Sequence, residues 1–177
     1  SYRNPALTAK MMATIQFLSG GRYIAGIGAG WKEDEYLAYG YPFPSNKVRL
    51  EELEETVQIF RLMWTQSPAT FVGKHYQIRN ADCEPLPQPP IPLLIGGGGE
   101  KVTLRLVAQY ADWFNVTFTD PPTYAHKLEV LKRHCAEVGR NYDEITKSLW
   151  AYINFNDEGH PMRDQYGRYI ISGTPQQ

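Results

Sequence analysis

Apolar residues recur at helical spacing in four stretches of the chain, and between these stretches lie short apolar runs that end in or near glycine. Leu7, Met11, Ile15 and Leu18 mark one face of a first helix, with Asn4 as its cap, Pro5 at its first position and Ser19-Gly20-Gly21 as its stop. Arg22 to Ile27 reads as a buried strand running into Gly28-Ala29-Gly30, and Trp31 to Tyr39 as a short helix broken by Pro42 and Pro44. From Asn46, the positions Leu50, Leu53, Val57, Phe60 and Trp64 predict a long amphipathic helix, with Glu51, Glu52, Glu54 and Glu55 early in it, where they complement the helix dipole. Ala69 to Ile78 predicts a hairpin turning at Gly73-Lys74, and Pro85 to Pro92 an extended connector. Pro92 to Ile95 is a second buried strand. A helix from Glu100 follows, with Leu104, Val107, Ala108 and Ala111 on its apolar face, and then a strand from Trp113 to Thr117. Tyr124, Leu128, Leu131, Cys135 and Val138 line a fourth helix that Gly139 ends; Ser148 to Phe155 is a strand, Asn156 to Gly167 is turn-rich, and Tyr169-Ile170-Ile171 leads to Gly173-Thr174-Pro175.

Alternation of helix and strand through the chain is the pattern of βα units around a parallel sheet, each crossover helix covering its strand. No fixed-period repeat points to a solenoid. Consecutive units place Arg22 to Ile27 at one sheet edge and the strand near Ser148 to Phe155 at or close to the other, with Ile27, Leu94 and Phe114 or its alternating neighbours on the less covered face. The chain has 177 residues, 42% hydrophobic and 21% charged, enough to bury a core in one domain or a large piece of one. With 18 basic against 19 acidic residues and no block of like charge, it offers no footprint for nucleic acid. No apolar run approaches the roughly 20 residues that span a bilayer, so no membrane partner is expected. Two lone cysteines, Cys83 and Cys135, argue against a disulfide framework or zinc site, and a reducing cytoplasm fits best.

Two glycine-rich turns follow strands. The first carries Trp31 where a dinucleotide fingerprint needs its third glycine, and the second carries Lys101 there. Glu100 before Lys101 and Val102 after it exclude a P-loop. What remains is simpler: Gly96, Gly97, Gly98 and Gly99 let the backbone approach a ligand, and the amides that open the next helix suit a phosphate. A flexible turn without a ligand is the alternative there, and a sharp turn beneath a core tryptophan is the alternative at Gly28 to Trp31. Both turns lie at strand C-termini, where α/β folds place ligands. The run Glu51 to Glu55 reads as a solvated helix face rather than a metal cluster, and no metal site is expected. His75, His126, His134 and His160 are scattered without ligand or triad spacing, and Cys135 lies on a buried stripe as a small hydrophobe.

These residues resemble the luciferase-like monooxygenase superfamily. The resemblance rests on Asn4-Pro5-Ala6-Leu7, Leu18-Ser19-Gly20-Gly21-Arg22, Gly26-Ile27-Gly28-Ala29-Gly30-Trp31, Glu35-Tyr36, Arg49-Leu50-Glu51-Glu52 and Trp64-Thr65. It continues through Gly73-Lys74-His75-Tyr76, Pro89-Pro90-Ile91-Pro92, Ile95 to Glu100, and Tyr110-Ala111-Asp112 with Asn115. It implies an α/β fold, a (β/α)8 TIM barrel that binds FMN or the deazaflavin coenzyme F420 at the strand C-termini, acting on a small organic substrate, with a homodimer as the full-length protein. The quadruple glycine followed by Glu100-Lys101 is most similar to the branch that uses coenzyme F420, in which a hydride moves between the deazaflavin and an organic substrate; in the FMN branch reduced flavin activates oxygen. By the same resemblance, Gly96 to Glu100 hold the cofactor phosphate, Gly28, Ala29, Gly30 and Trp31 lie along its ring with Asp34 near it, and Asn115 is a further cofactor-binding candidate.

A barrel of this kind needs about 250 residues. The chain is expected to supply helix 3 through strand 7 as a partial barrel over residues 1–177, a fragment from the middle of the enzyme, so no catalytic residue is assigned. A non-catalytic flavoprotein or dimerisation module on the same scaffold is the alternative.

Overall fold

The computed structural model describes residues 2–155, 162–165 and 167–173. The chain forms two compact units, Ser1–Leu94 and Ile95–Gln177.

In the first unit, α1 (Pro5–Leu18) starts where the sequence predicts, with Asn4 Oδ1 accepting from the Ala6 and Leu7 N–H groups at 2.9 and 3.3 Å. Its buried face is not the predicted one. Pro5, Ala9, Ala13 and Gln16 are buried, whereas Leu7, Met11, Ile15 and Leu18 are 42–77% exposed. Apolar residues occupy both sides of this helix, and the side with small residues is the one that docks on α3 (Asn46–Thr65). Trp64 Nε1 reaches across to donate to the Ala9 carbonyl at 3.1 Å. Gln16, fully buried, donates to the Pro89 carbonyl at 2.9 Å and accepts from the Tyr23 N–H at 3.1 Å, fixing the proline-rich connector and the approach to the first strand. The predicted stripe of α3 is in place: Leu53, Val57, Phe60 and Trp64 are buried, each contributing about 1.5–3 kcal/mol, and Leu50 is half-buried.

Glu51 and Glu55 of α3 are not part of a solvated face. The hairpin of β2 (Ala69–Val72) and β3 (Gln77–Ala81) turns through Gly73–Tyr76 directly above them. The Glu55 carboxylate accepts from the N–H groups of Lys74, His75 and Tyr76 at 2.7, 2.9 and 2.8 Å. Glu51 Oε2 meets Lys74 Nζ at 2.7 Å and His75 Nε2 at 2.8 Å. These contacts pull the Glu51 pKa down to about 2, the Lys74 ammonium first and the His75 ring second.

The central sheet has the strand order β1-β4-β5-β6, from β1 (Ala25–Ile27), β4 (Leu93–Gly96), β5 (Trp113–Thr117) and β6 (Thr146–Trp150). Both edge assignments hold, although β1 keeps only the last three residues of its predicted span. Ala25 N–H donates to the Pro92 carbonyl at 2.9 Å. Ile27 and Leu94 are half-exposed as expected; Phe114 is fully buried, because alternation puts it with Leu93 and Ile95 on the covered side and leaves Asn115 on the other.

In the second unit β5 and β6 run parallel with Asn115 opposite Ser148, and α4 (Thr103–Tyr110) packs on α5 (Pro121–Val138). Asp120 caps α5, and Gly139 ends it in the left-handed conformation at φ 70°. The predicted strand from Ser148 to Phe155 is divided at Ala151: β7 (Tyr152–Phe155) leaves the central sheet and pairs parallel with β9 (Tyr169–Gly173), which also pairs antiparallel with β8 (Met162–Arg163). Most of the turn-rich stretch from Asn156, including His160, and the Thr174-Pro175 pair lie outside the described residues.

Candidate functional site

The candidate residues fall into two groups, one in each unit. In the first unit, Gly28 to Trp31 leave the end of β1 and lead into α2 (Glu33–Ala38). Gly30 has φ +76°, and a Cβ there would lie 3.0 Å from Tyr36 Cζ and closer still to its hydroxyl, so the left-handed backbone and the buried Tyr36 ring both demand glycine. Trp31 is 82% exposed, which removes the reading of a turn under a core tryptophan. It lines an open cleft of about 300 Å³ with Gly28, Gly30, Glu35 and Tyr36. Asp34 is exposed, 3.9 Å from Lys32 Nζ, and is not among the cleft's lining residues. Behind the loop, Arg49 stacks its guanidinium 3.9 Å over the Phe43 ring and donates to the Pro44 carbonyl. Its Nε is buried without a partner, beside Gly28 and Ala29.

In the second unit, Gly96 to Glu100 leave the end of β4. Gly97 N–H donates to the Asn115 carbonyl at 2.9 Å, which puts Asn115 beside the glycine loop. Asn115 Nδ2 donates to Ser148 Oγ at 2.9 Å, and that hydroxyl donates to the Phe114 carbonyl at 2.9 Å. Gly97 has φ +131°, and a Cβ on Gly99 would approach Thr103 Oγ1 to 2.9 Å. The helix α4 begins at Thr103 and not at Glu100, which sits in the turn before it. That turn leaves the N–H groups of Gly98, Gly99, Glu100 and Lys101 without an acceptor among the described residues. The Glu100 carboxylate points away toward α5, where Lys127 Nζ lies at 2.6 Å and His126 Nε2 at 3.2 Å, and the Lys127 hydrogen bond leads the effects that hold its pKa low. His134 Nε2 lies 2.8 Å from the Glu100 carbonyl oxygen and its Nδ1 2.9 Å from Glu137.

Four contributors escaped the sequence reading as site residues: Tyr36, Arg49, Thr103 and Lys127. Lys127 left a faint signal, since it sits three residues after Tyr124 and four before Leu131, on the side of α5 that packs inward. Cys83 and Cys135 are buried free thiols whose pKa values burial pushes up, in keeping with the small-hydrophobe reading of Cys135. Among the described residues no group of three or more His, Cys, Asp or Glu side chains could hold a metal ion, and no helix is long and apolar enough to cross a membrane.

The luciferase-like monooxygenase family model matches residues 1–177. The chain belongs to this family. Within the family it is 31% identical over 171 residues to pyrimidine monooxygenase RutA of Stutzerimonas stutzeri, covering 93% of this chain and 46% of the relative. It is 36% identical over 157 residues to the F420-dependent glucose-6-phosphate dehydrogenase of Kineococcus radiotolerans, covering 88% of this chain and 46% of that protein. The chain thus spans about half the length of the curated relatives it matches. An F420-dependent secondary alcohol dehydrogenase, solved with an F420-acetone adduct, superposes on 89% of this chain with a TM-score of 0.80 at 24% identity, covering 48% of that structure; this likeness is one of fold.

Proposed function

We propose that the full-length protein is an oxidoreductase of the luciferase-like family that works with coenzyme F420, or alternatively FMN, on a small organic substrate. The observation that carries this reading is the run of four backbone N–H groups, Gly98 to Lys101, that have no acceptor among the described residues, at the end of β4 and before the N-terminus of α4. Such a run fits a phosphate: the donors are already ordered, and the dipole of α4 adds to them. A bound deazaflavin supplies hydride-transfer chemistry, and a bound FMN supplies oxygen activation. This chain's residues bind and orient. In the second unit the Gly98 to Lys101 amides hold the phosphate and Asn115 fixes the loop through the Gly97 N–H; in the first unit Gly28 to Trp31 line an open cleft. The relatives include both F420- and flavin-dependent enzymes, and the Gly99-Glu100-Lys101 sequence favours F420.

Gly98 is the position to test. Its φ is not positive, and a Cβ there would meet Val116 Cγ2 at 3.3 Å and Lys127 Cε at 3.6 Å, a crowding that alanine tolerates with a small shift. Gly98→Ala in the full-length protein is expected to weaken binding of F420 and FMN about tenfold while the unfolding midpoint stays within a few degrees. Cofactor affinity equal to wild type in the folded variant would remove the assignment, and titrating both cofactors in parallel identifies the branch.

A further inference from the structure

Lys127 is buried more deeply than an ordinary surface ion pair requires. Its side chain is 18% exposed, whereas its partner Glu100 is 40% exposed and His126, on the same carboxylate oxygen, is 58% exposed. Its stem runs along the glycine loop, with Cε 3.6 Å from where a Gly98 Cβ would stand. An ammonium carries three N–H donors. One of those on Lys127 goes to Glu100 Oε1 at 2.6 Å, and the other two have no partner among the described residues. The structure therefore places the Lys127 stem beside Gly98, the first of four backbone N–H groups with no acceptor among the described residues, and holds the ammonium on the Glu100 carboxylate.

We infer that Lys127 is the cation of the glycine-loop anion site, that it contacts a phosphate bound there directly, and that Glu100 is its positioning residue. The inference rests on the function proposed above, and it adds to it the group that makes the site discriminate a phosphorylated ligand from its neutral parent. A backbone cradle by itself favours any acceptor of the right shape; an ammonium held at its edge favours the charged one. Without Lys127 the Glu100 carboxylate would keep only His126 beside it, at 3.2 Å, and its negative charge would oppose an anion on the loop. The competing role for the lysine is merely to cancel Glu100, and the two roles give opposite results in a double variant.

The experiment measures dissociation constants of the full-length protein for two ligand pairs that differ only in the phosphate: FMN against riboflavin, and the 5′-phosphate of the deazariboflavin core of F420 against that core. Wild type, Lys127→Met and the double variant Glu100→Gln/Lys127→Met are compared, and the phosphate-free ligand of each pair reports that the rest of the site is intact. Lys127→Met is expected to cut the preference for the phosphorylated ligand by about tenfold or more, the scale of a hydrogen bond to a charged group, with little change for the phosphate-free ligand. The double variant should stay as weak as the single one. Inorganic phosphate at millimolar concentration should raise the melting temperature of wild type and not of Lys127→Met. A preference that survives in Lys127→Met overturns the role of Lys127 and leaves the glycine-loop assignment standing. A preference restored in the double variant shows that the lysine only neutralises Glu100, and overturns direct contact. A wild type that binds phosphorylated and phosphate-free ligands equally overturns both this inference and the reading on which it rests.

Discussion

The Glu55 carboxylate is the joint between α3 and the hairpin, and its geometry gives an unusual expectation for a conservative substitution. Oε1 accepts from the Lys74 N–H at 2.7 Å, Oε2 accepts from the Tyr76 N–H at 2.8 Å, and the His75 N–H approaches both oxygens at 3.2 and 2.9 Å. Three donors converge on a group that only accepts, and the His75 and Tyr76 bonds are partly buried. Glu55→Ala leaves those two amides unpaired and should cost about 2–3 kcal/mol, at about 1–1.5 kcal/mol for each, with little for the exposed Lys74 amide. Glu55→Gln keeps the shape, yet one oxygen becomes an NH2 group aimed at an N–H. Donor then faces donor, and less than half of the loss should be recovered. Urea unfolding of the full-length protein measures the cost, and amide hydrogen exchange over residues 73–76 locates it. A Glu55→Gln protein within about 0.5 kcal/mol of wild type, with unchanged exchange at His75 and Tyr76, would refute this account of the joint.

The Glu51 carboxylate, with its pKa pulled from 4.5 to about 2, stabilises the fold above pH 4.5 and loses that contribution as the pH falls toward 2; Glu51→Gln should therefore flatten the acid limb of a melting-temperature profile between those values, and parallel limbs would exclude it. Gln16→Leu keeps the volume but removes the partner of the Tyr23 N–H and the Pro89 carbonyl in a partly buried place, at a cost of about 1–2 kcal/mol by chemical unfolding; a loss under about 0.5 kcal/mol would mean that water replaces both bonds.

What could be read from the sequence was local. The Asn4 cap and Pro5 start of α1, the Gly139 stop of α5 and the span of β5 follow from residues adjacent in the chain, and each is found where it was predicted. The docking face of α1 depended on Trp64 and Pro89, both far along the chain, while Leu7, Met11, Ile15 and Leu18 gave the stronger periodic signal on the wrong side. The acids of α3 read as solvated because their partners, Lys74, His75 and Tyr76, come about twenty residues later on a hairpin whose docking no periodicity encodes. The break at Ala151 was hidden because Leu149, Trp150, Tyr152 and Ile153 continue a strand-like pattern straight through it. At the candidate site, the glycine loop and its neighbour Asn115 were legible from strand ends; Tyr36 and Lys127 were not, since each meets its loop through a contact that the chain closes only on folding.

The glycines that drew attention to both turns do different work, and separating them decides where a ligand can be sought. Gly30 is glycine because of its backbone, at φ +76°, and of Tyr36, and Gly99 because of Thr103: in each, the space a Cβ would take is filled by the protein itself. Gly97 owes its identity to its backbone, at φ +131°, with its N–H spent on the Asn115 carbonyl. These three would be needed in an empty turn as much as in a binding loop, so substituting them tests packing and strain. Gly98 differs. Its φ requires no glycine, its N–H has no acceptor among the described residues, and Lys127 passes close to it. This amide and the three after it are within reach of solvent, so water can complete them, and a bound anion would replace that water. On the proposed function, the residues to test for ligand binding are therefore Gly98 to Lys101 and the lysine beside them.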